Sequence, residues 1–353
     1  MLKKTFKLLA WVLGTILLLV GGFLLYATLT DYKPEEKMAL DIVNNQAPIM
    51  QEGQPITITT FNIGYAGLDK NQDFFMDGGT MSRSSSEEQT RQNLKNISTF
   101  MKKAASDIYL LQEVDRASTR SYKIDQVSYI RKELPSYSSV FATNYKVDWV
   151  PVPLLKPMGT THSGLLTLST YHSTESYRYD LPGKESWPVQ QFELDRAFTE
   201  SRFPVQNGKE LVVVNLHLSA YDEGGSIRKQ QLAYLASYIE QEALKGNYLI
   251  LGGDWNHVLP GTDTEAFPAT QAWPEWLQSF PEDFQPEGYS WAVDAQLPTV
   301  RTIDIPYTEG INFRAVIDGF LVSPNIEVLS TEAWDLKYEN SDHNPVTAAF
   351  VLK

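Results

Sequence analysis

The chain contains no cysteine, which removes disulfide frameworks, thiolate zinc sites and thiol nucleophiles together. Histidine is scarce, five in 353 residues, so carboxylates and amides form the main stock of polar chemistry. Cationic residues are in deficit. Lys and Arg number 30 against 43 Asp and Glu, a formal net charge of -13, so the molecule as a whole repels polyanions and nonspecific nucleic-acid binding is disfavoured. Neither an internal repeat nor a long low-complexity run occurs. What remains, 42% hydrophobic and 21% charged, suits one large α/β domain plus an appendage.

The appendage is N-terminal. Lys3, Lys4 and Lys7 precede an uncharged stretch from Leu8 to Leu29, which meets the ~20 residues that a bilayer requires. The run exceeds the ~7–15 residues of a signal-peptide core, and no small-x-small site follows Tyr26, so a retained anchor is expected rather than a cleaved leader. The lysines belong on the cytoplasmic side by the positive-inside rule, which puts the large domain outside the cytoplasm on a single-pass anchor in the cell membrane. Residues 1–31 are thus the cytoplasmic lysines and span, 32–55 a polar stalk or linker, and 56–353 the large domain.

Within that domain ITITTFNI (Ile56–Ile63) is β-rich and ends near Asn62 and Gly64. Gly64 to Ser86, with glycines, serines and the pair Phe74 and Phe75, has no helix or strand period and reads as an insertion or lid. Glu87–Ala105 spaces Leu94, Ile97, Phe100, Met101 and Ala104 as an amphipathic helix. The strand that follows, Asp107–Gln112, is apolar enough to be buried on both faces, and it delivers Glu113. Further β-type runs are Gly164–Leu168, Leu211–Leu218, Tyr248–Leu251, Val316–Val322 and Val346–Leu352, with a second helix over Ser226–Leu244. Thr143–His162 and Pro260–Phe313, rich in Pro, Trp and Tyr, read as long loops, and Trp149, Trp187, Trp255 and Trp291 are expected to pack loops down rather than to stack on a substrate. No apolar loop suited to insertion in a bilayer is evident.

Polar residues gather where these strands end. TFNIG carries Asn62, LLQEVD Glu113, VNLHLSA His217, GGDWNH Asp254 and Asn256, VIDGFLVS Asp318, and SDHNPV Asp342 and His343. Any one of these alone is ordinary, since Asn closes strands and a histidine in an apolar strand is usually a core residue. Asp254 and Asn256, two apart, point to one face while Trp255 points to the other. Hydrolysing a phosphoester near neutral pH needs a hard cation, an oriented water and donors for developing charge. Carboxylate and amide ligands suit magnesium.

As an ordered set the motifs resemble the endonuclease/exonuclease/phosphatase family, which includes DNase I, abasic-site endonucleases, inositol-polyphosphate phosphatases and neutral sphingomyelinases. The resemblance covers about Ile56 to Leu352. It implies an α/β fold, a four-layer α/β/β/α sandwich of DNase I-like type with the site at the strand ends on one edge. It further implies a metal-dependent hydrolase of phosphoester bonds, acting by in-line attack of an activated water with magnesium, or manganese as the alternative. Glu113 and Asn62 would hold the metal, and Asp342 would either contact it or act as a base. Asp254 would orient or deprotonate the water and Asn256 position phosphate or water. Asp318 would pair with His343, and His217 would face the phosphate. His162 and Arg196 stand as secondary candidates, Arg228 and Gln231 as structural residues, and His172 and His257 outside the chemistry.

The long interval from Asn62 to Glu113 departs from the family pattern, and the insertion within it is expected to overhang the metal site. No close subfamily match follows, and the substrate is a phosphate ester of unspecified class. The rival readings are a non-catalytic surface-binding protein retaining the fold, and an extracytoplasmic nuclease, against which the net charge argues.

Overall fold

A computed structural model describes residues 2–282 and 284–353. Among them two large sheets pack face to face. The first runs in the order Ile326–Ala333, Val346–Leu352, Pro55–Asn62, Ile108–Asp115, Gly159–Ser169, Ser138–Val150. The second runs Lys37–Ala39, Glu175–Asp180, Ala197–Pro204, Glu210–His217, Tyr248–Asp254, Asp318–Val322, Ser290–Ala292. Ile58, Leu110 and Phe350 of one sheet meet Val213, Ile250 and Phe320 of the other in the central core. Outside the first sheet lie the helices Glu87–Ala104 and Gln126–Glu133, and outside the second the helix Ser226–Ala243. This is the four-layer α/β/β/α sandwich.

The first of these outer helices shows why the sequence folds so locally. Ser86 caps it by accepting from Gln89 N, Glu87 and Glu88 occupy its first turn, Lys102 and Lys103 its last, and Ala105 ends it at φ 47°. The charges complement the helix dipole and the cap is worth about 1 kcal/mol. Leu94, Ile97, Phe100 and Met101 are buried against the sheet.

Register positions the site. Pro55–Asn62 and Ile108–Asp115 run parallel, as do Glu210–His217 and Tyr248–Asp254, so all four deliver their C-terminal residues to one edge of the sandwich. His217 pairs with Asp254, and Asp254 with Asp318 on the adjacent antiparallel strand. At Glu113 the ladder shifts register between Leu111 and Val114, and Glu113 itself adopts φ 55°, a bulge that turns its carboxylate out of the sheet's alternation.

Two stretches depart from expectation. Residues 32–55 are laid along the domain rather than standing off it: Lys37–Ala39 pairs with Glu175–Asp180, Val43 bridges Ser139 and Met50 bridges Val205. A free sheet edge attracts such a segment because its unpaired N–H and C=O groups need partners. Thr143–His162 is not one loop, since most of it forms two antiparallel strand arms joined around Pro151–Met158.

The N-terminal helix spans Leu2–Thr30, is long and apolar enough to cross a membrane, and leaves most of its apolar stretch exposed, with Ala27 buried near its end.

Candidate active site

Asn62, Glu113, His217, Asp254, Asn256, Asp342 and His343 line one cleft at the shared strand edge. Asp318 lies behind His343, with its Oδ2 2.9 Å from His343 Nδ1. The opposite ring nitrogen of His343 is 3.8 Å from Asp254 Oδ2, and His217 Nε2 is 3.5 Å from the same oxygen. Two imidazoles therefore converge on one carboxylate. Asn62 Nδ2 donates to Asp254 Oδ2 at 3.0 Å and approaches Glu113 Oε1 at 3.5 Å, while its Oδ1 accepts from Gly64 N. The amide thus turns its NH₂ rather than its carbonyl oxygen toward the carboxylates.

Gly64 is required in this turn. It sits at φ +47°, and a Cβ there would stand 2.7 Å from Asp342 Oδ1. The glycines of GGDWNH serve the sandwich instead of a substrate. A Cβ on Gly252 would strike Phe320, and one on Gly253 would lie 2.0 Å from Leu216 O.

Burial sets the protonation states. Desolvation raises Asp254 to about 7, with Asp318's charge adding to it and His343 opposing. Burial alone would lower His343, but the charge and hydrogen bond of Asp318 outweigh it and lift the imidazole to about 10. His217 falls well below its ordinary value through burial and the nearby Arg196 cation, so it is neutral at physiological pH. Glu113 is raised by burial, with Arg120 pulling the other way and Asp342 reinforcing the rise.

Those carboxylates have few protein partners. Glu113's contacts are the 3.5 Å approach of Asn62 and Arg120 at 3.7 Å; Asp342 accepts a 3.3 Å bond from Ser341 Oγ. Two underbonded acidic side chains in a buried cleft are a donor set that fits a hard divalent cation. A second acidic group, Asp254, Asp318 and His343, has its ligand atoms within 4.8 Å of one another. It is already joined internally by the His343–Asp318 hydrogen bond, which suits proton handling better than metal binding.

The sequence profile of the Endonuclease/Exonuclease/phosphatase family matches residues 59–343. The chain belongs to the endonuclease/exonuclease/phosphatase family. Solved structures agree at the level of fold. The endonuclease/exonuclease/phosphatase from Beutenbergia cavernae is 18% identical with a TM-score of 0.57, over 85% of this chain and 72% of that one. The protein of the same description from Bacteroides vulgatus is 20% identical with a TM-score of 0.54, over 85% and 100%. A mannosyl-6-phosphatase from Bacteroides thetaiotaomicron is 17% identical with a TM-score of 0.53, over 84% and 100%. Among curated proteins none matches.

Within this family member the cleft also contains residues that strand-end reasoning did not single out. Tyr65, Phe74, Met76 and Asp77 of the 64–86 insertion wall one side, and Arg120, Tyr221 and Arg301 line it too. Arg301 holds the insertion down by donating to Asp69 O at 2.8 Å and Gln72 O at 3.3 Å, and Tyr221 donates to Asp77 Oδ1 at 2.8 Å. Apart from Arg301, which ends the two-residue strand Val300–Arg301, they lie outside strand ends, and no local signal marked them. Arg196, a secondary candidate, lines the cleft with Nη1 lacking a protein partner, as does His217 with Nδ1. The other secondary candidate, His162, is held by Thr143 Oγ1 at 3.0 Å and does not line the cleft.

The remaining polar residues differ in their surroundings. Asn256 lines the cleft but gives Nδ2 to Leu218 O at 2.7 Å. Arg228 pairs with Asp222 and donates to Asn256 O, and Gln231 binds Ser219, so both brace the loop after His217. His257 is buried against Phe280, and His172 lies near Asn45 O. Trp255 packs fully buried, whereas Trp149 and Trp187 are exposed, contrary to the expectation that loop tryptophans pack inward.

Proposed function

We propose that the protein hydrolyses a phosphoester by in-line attack of water, with a divalent cation held at Glu113 and Asp342. Magnesium is the first choice and manganese the alternative. The observation that carries the reading is the line Asp318, His343, Asp254, at 2.9 Å and 3.8 Å, beside underbonded Glu113. The bound cation supplies Lewis-acid polarisation of the phosphoryl oxygens.

This chain's own groups do the rest. Asp254, with a proton affinity near neutrality, takes the proton of the attacking water. Its 3.0 Å bond from Asn62 fixes which lone pair faces the water, so Asn62 acts by clamping Asp254 and Glu113. His343, cationic and oriented through Nδ1 by Asp318, presents its Nε2–H to a phosphoryl or leaving oxygen. Neutral His217 presents Nε2 at the cleft beside Asp254, 3.5 Å away, and the cation Arg196 contributes a further donor, whose unpartnered Nη1 a phosphate would satisfy. Asn256 braces the loop that carries His217. Asp342 is assigned to the cation, with a role as base the alternative. The 64–86 insertion, which walls the cleft, selects the ester.

The same proposal keeps the N-terminal helix as a membrane span with the catalytic domain on the extracytoplasmic side, because Lys3, Lys4 and Lys7 cluster before it. The test of activity is release of p-nitrophenol from bis(p-nitrophenyl) phosphate by the full chain in detergent. Activity should be lost with EDTA, restored by Mg²⁺ or Mn²⁺, and abolished in Glu113→Gln and His343→Ala. Full turnover in both variants would defeat the proposal, and absence of metal binding would favour a non-catalytic surface protein.

A further inference from the structure

The helix Leu2–Thr30 does not lead into a free tether. Phe23 stacks on Phe192 with ring centroids 5.7 Å apart, Tyr26 OH donates to Asp148 Oδ2 at 2.7 Å, and Trp187 Nε1 donates to Thr28 Oγ1 at 3.0 Å. About 20 residues counted from Leu8 cross a hydrocarbon core and reach Ala27. The domain surfaces gripping Phe23, Tyr26 and Thr28 therefore lie at the outer boundary of that core.

Around this grip the domain exposes apolar side chains that it has every means to avoid exposing. Leu154 and Leu155 at the tip of the Pro151–Met158 loop are 86% and 101% exposed, and Trp149, Val152, Trp187 and Val189 are exposed with them. The tip is not a loose end. Met158 N donates to Val152 O at 2.8 Å and Lys156 N to Pro153 O at 3.1 Å. Ser82 Oγ holds Lys156 O at 2.6 Å, and the Arg83 guanidinium holds Pro157 O. Two leucines are thus presented on a braced loop, with tryptophans and the exposed Lys156 beside them. Aromatic rings and lysine at such a level are the composition of a membrane–water interface.

We propose that the loop 151–158, with Trp149, Trp187 and Val189, is a membrane-contact face that dips into the outer leaflet of the bilayer spanned by the chain's own helix. The inference rests on the reading of residues 8–29 as a retained span. A bilayer is favoured over a protein partner because the face is continuous with the emerging helix. The same loop reaches the cleft: Met158 lines it, as does Tyr145, whose OH donates to Phe192 O at 3.0 Å. One wall of the active site is therefore built from the back of the membrane face, which seats the cleft in the headgroup layer.

The absence of native cysteine makes the test clean. The full chain carrying Leu155→Cys, labelled with a bimane fluorophore, is reconstituted into phosphatidylcholine–phosphatidylglycerol vesicles with or without brominated acyl chains. Leu244→Cys is the control, since Leu244 is 89% exposed but follows the helix Ser226–Ala243 at the far end of the strands. A probe buried about 5–10 Å into the headgroup–acyl boundary should lose about half its emission at position 155 and none at 244. If the chain stays in carbonate-washed vesicles but position 155 is unquenched, or both positions are quenched alike, the contact face is overturned while the span stands. A blue-shifted but unquenched probe would mean that a second copy of the chain covers the loop, which also overturns it. If the chain washes off the vesicles, the span reading itself fails.

Discussion

Asp318 Oδ2 lies 2.9 Å from His343 Nδ1, and that one contact fixes tautomer, ring orientation and charge of the imidazole at the centre of the cleft. With its folded value at about 10, His343 is cationic throughout the physiological range. The sign follows from linkage. A histidine whose folded pKa is raised contributes stability that is fully present below its ordinary value near 6.5 and is lost as pH rises through about 10.

Asp318→Asn is expected to remove the partner charge while keeping the shape. Turnover should fall by about 10²–10³-fold, within the ~10²–10⁴-fold that general acid–base catalysis contributes, and the alkaline limb of the pH–rate profile should move to lower pH. KM should change little, because Asp318 lies behind the imidazole. A full alkaline limb at its original position in Asp318→Asn would show that His343 does not act as a cation.

Asp254 sets the acid limb. Burial raises it to about 7, so a base role requires the rate to climb as pH passes upward through that value. Asp254→Asn should flatten the climb and lower the rate by about 10²-fold or more. A cation bound beside the carboxylates adds positive charge and should shift the limb to lower pH as metal concentration rises. A limb insensitive both to metal and to the substitution would assign it to another group.

The strand-end chemistry was legible because each of these segments is an apolar run that stops at a polar residue, and a central strand permits little else. Expected strands at Asp107–Gln112, Tyr248–Leu251 and Val346–Leu352 appear as Ile108–Asp115, Tyr248–Asp254 and Val346–Leu352. Edge strands were opaque for the opposite reason. Ser138–Val150, at the end of its sheet, alternates Asn144, Lys146 and Asp148 with partners on its other face, so half its residues read as loop. Lys37–Ala39 looked like stalk because three polar-flanked residues at a sheet edge carry no period at all. Of the cleft arginines only Arg196 was marked as a candidate; Arg120 and Arg301 were illegible since their roles depend on which loops fold over which strand ends, and that is decided by tertiary packing. Trp149 and Trp187 were misjudged because packing is the usual fate of loop aromatics in a protein surrounded by water.

Arg202 anchors the far side of the second sheet and offers a stability test independent of chemistry. Its guanidinium donates to Glu200 at 2.8 Å, Glu210 at 2.8 Å and Glu242 at 2.5 Å, and Glu200 and Glu242 are buried. Breaking a buried charge network by removing one partner costs about 3–5 kcal/mol, since it strands the opposite charges. Arg202→Met should lose that much in urea unfolding yet keep its kcat/KM while folded, as Arg202 does not line the cleft. A loss below about 1 kcal/mol would place the network among exposed surface pairs.

The final prediction concerns the mouth of the cleft, where Tyr221 OH meets Asp77 Oδ1 at 2.8 Å and joins the insertion to the loop after His217. Asp77 is raised to about 7, chiefly by burial; the Tyr221 bond opposes the shift, Asp342 and Asp304 add to it, and Arg301 opposes it. An open insertion would return the carboxyl to water and to its ordinary value of 3.8. The closed arrangement therefore binds the proton more tightly, so it is favoured at low pH and loses that advantage as pH rises through about 7. The protection of residues 72–80 from hydrogen exchange, taken relative to the intrinsic exchange rate at each pH, should fall in the wild type as pH rises from about 4 to about 7. Asp77→Asn, which cannot ionise, should keep the same protection at both ends, and Tyr221→Phe should be less protected throughout while KM rises more than kcat falls. Protection that is flat with pH in the wild type would mean that the contact does not control opening, and substrate selection would then rest on Tyr65, Phe74 and Met76 as fixed walls.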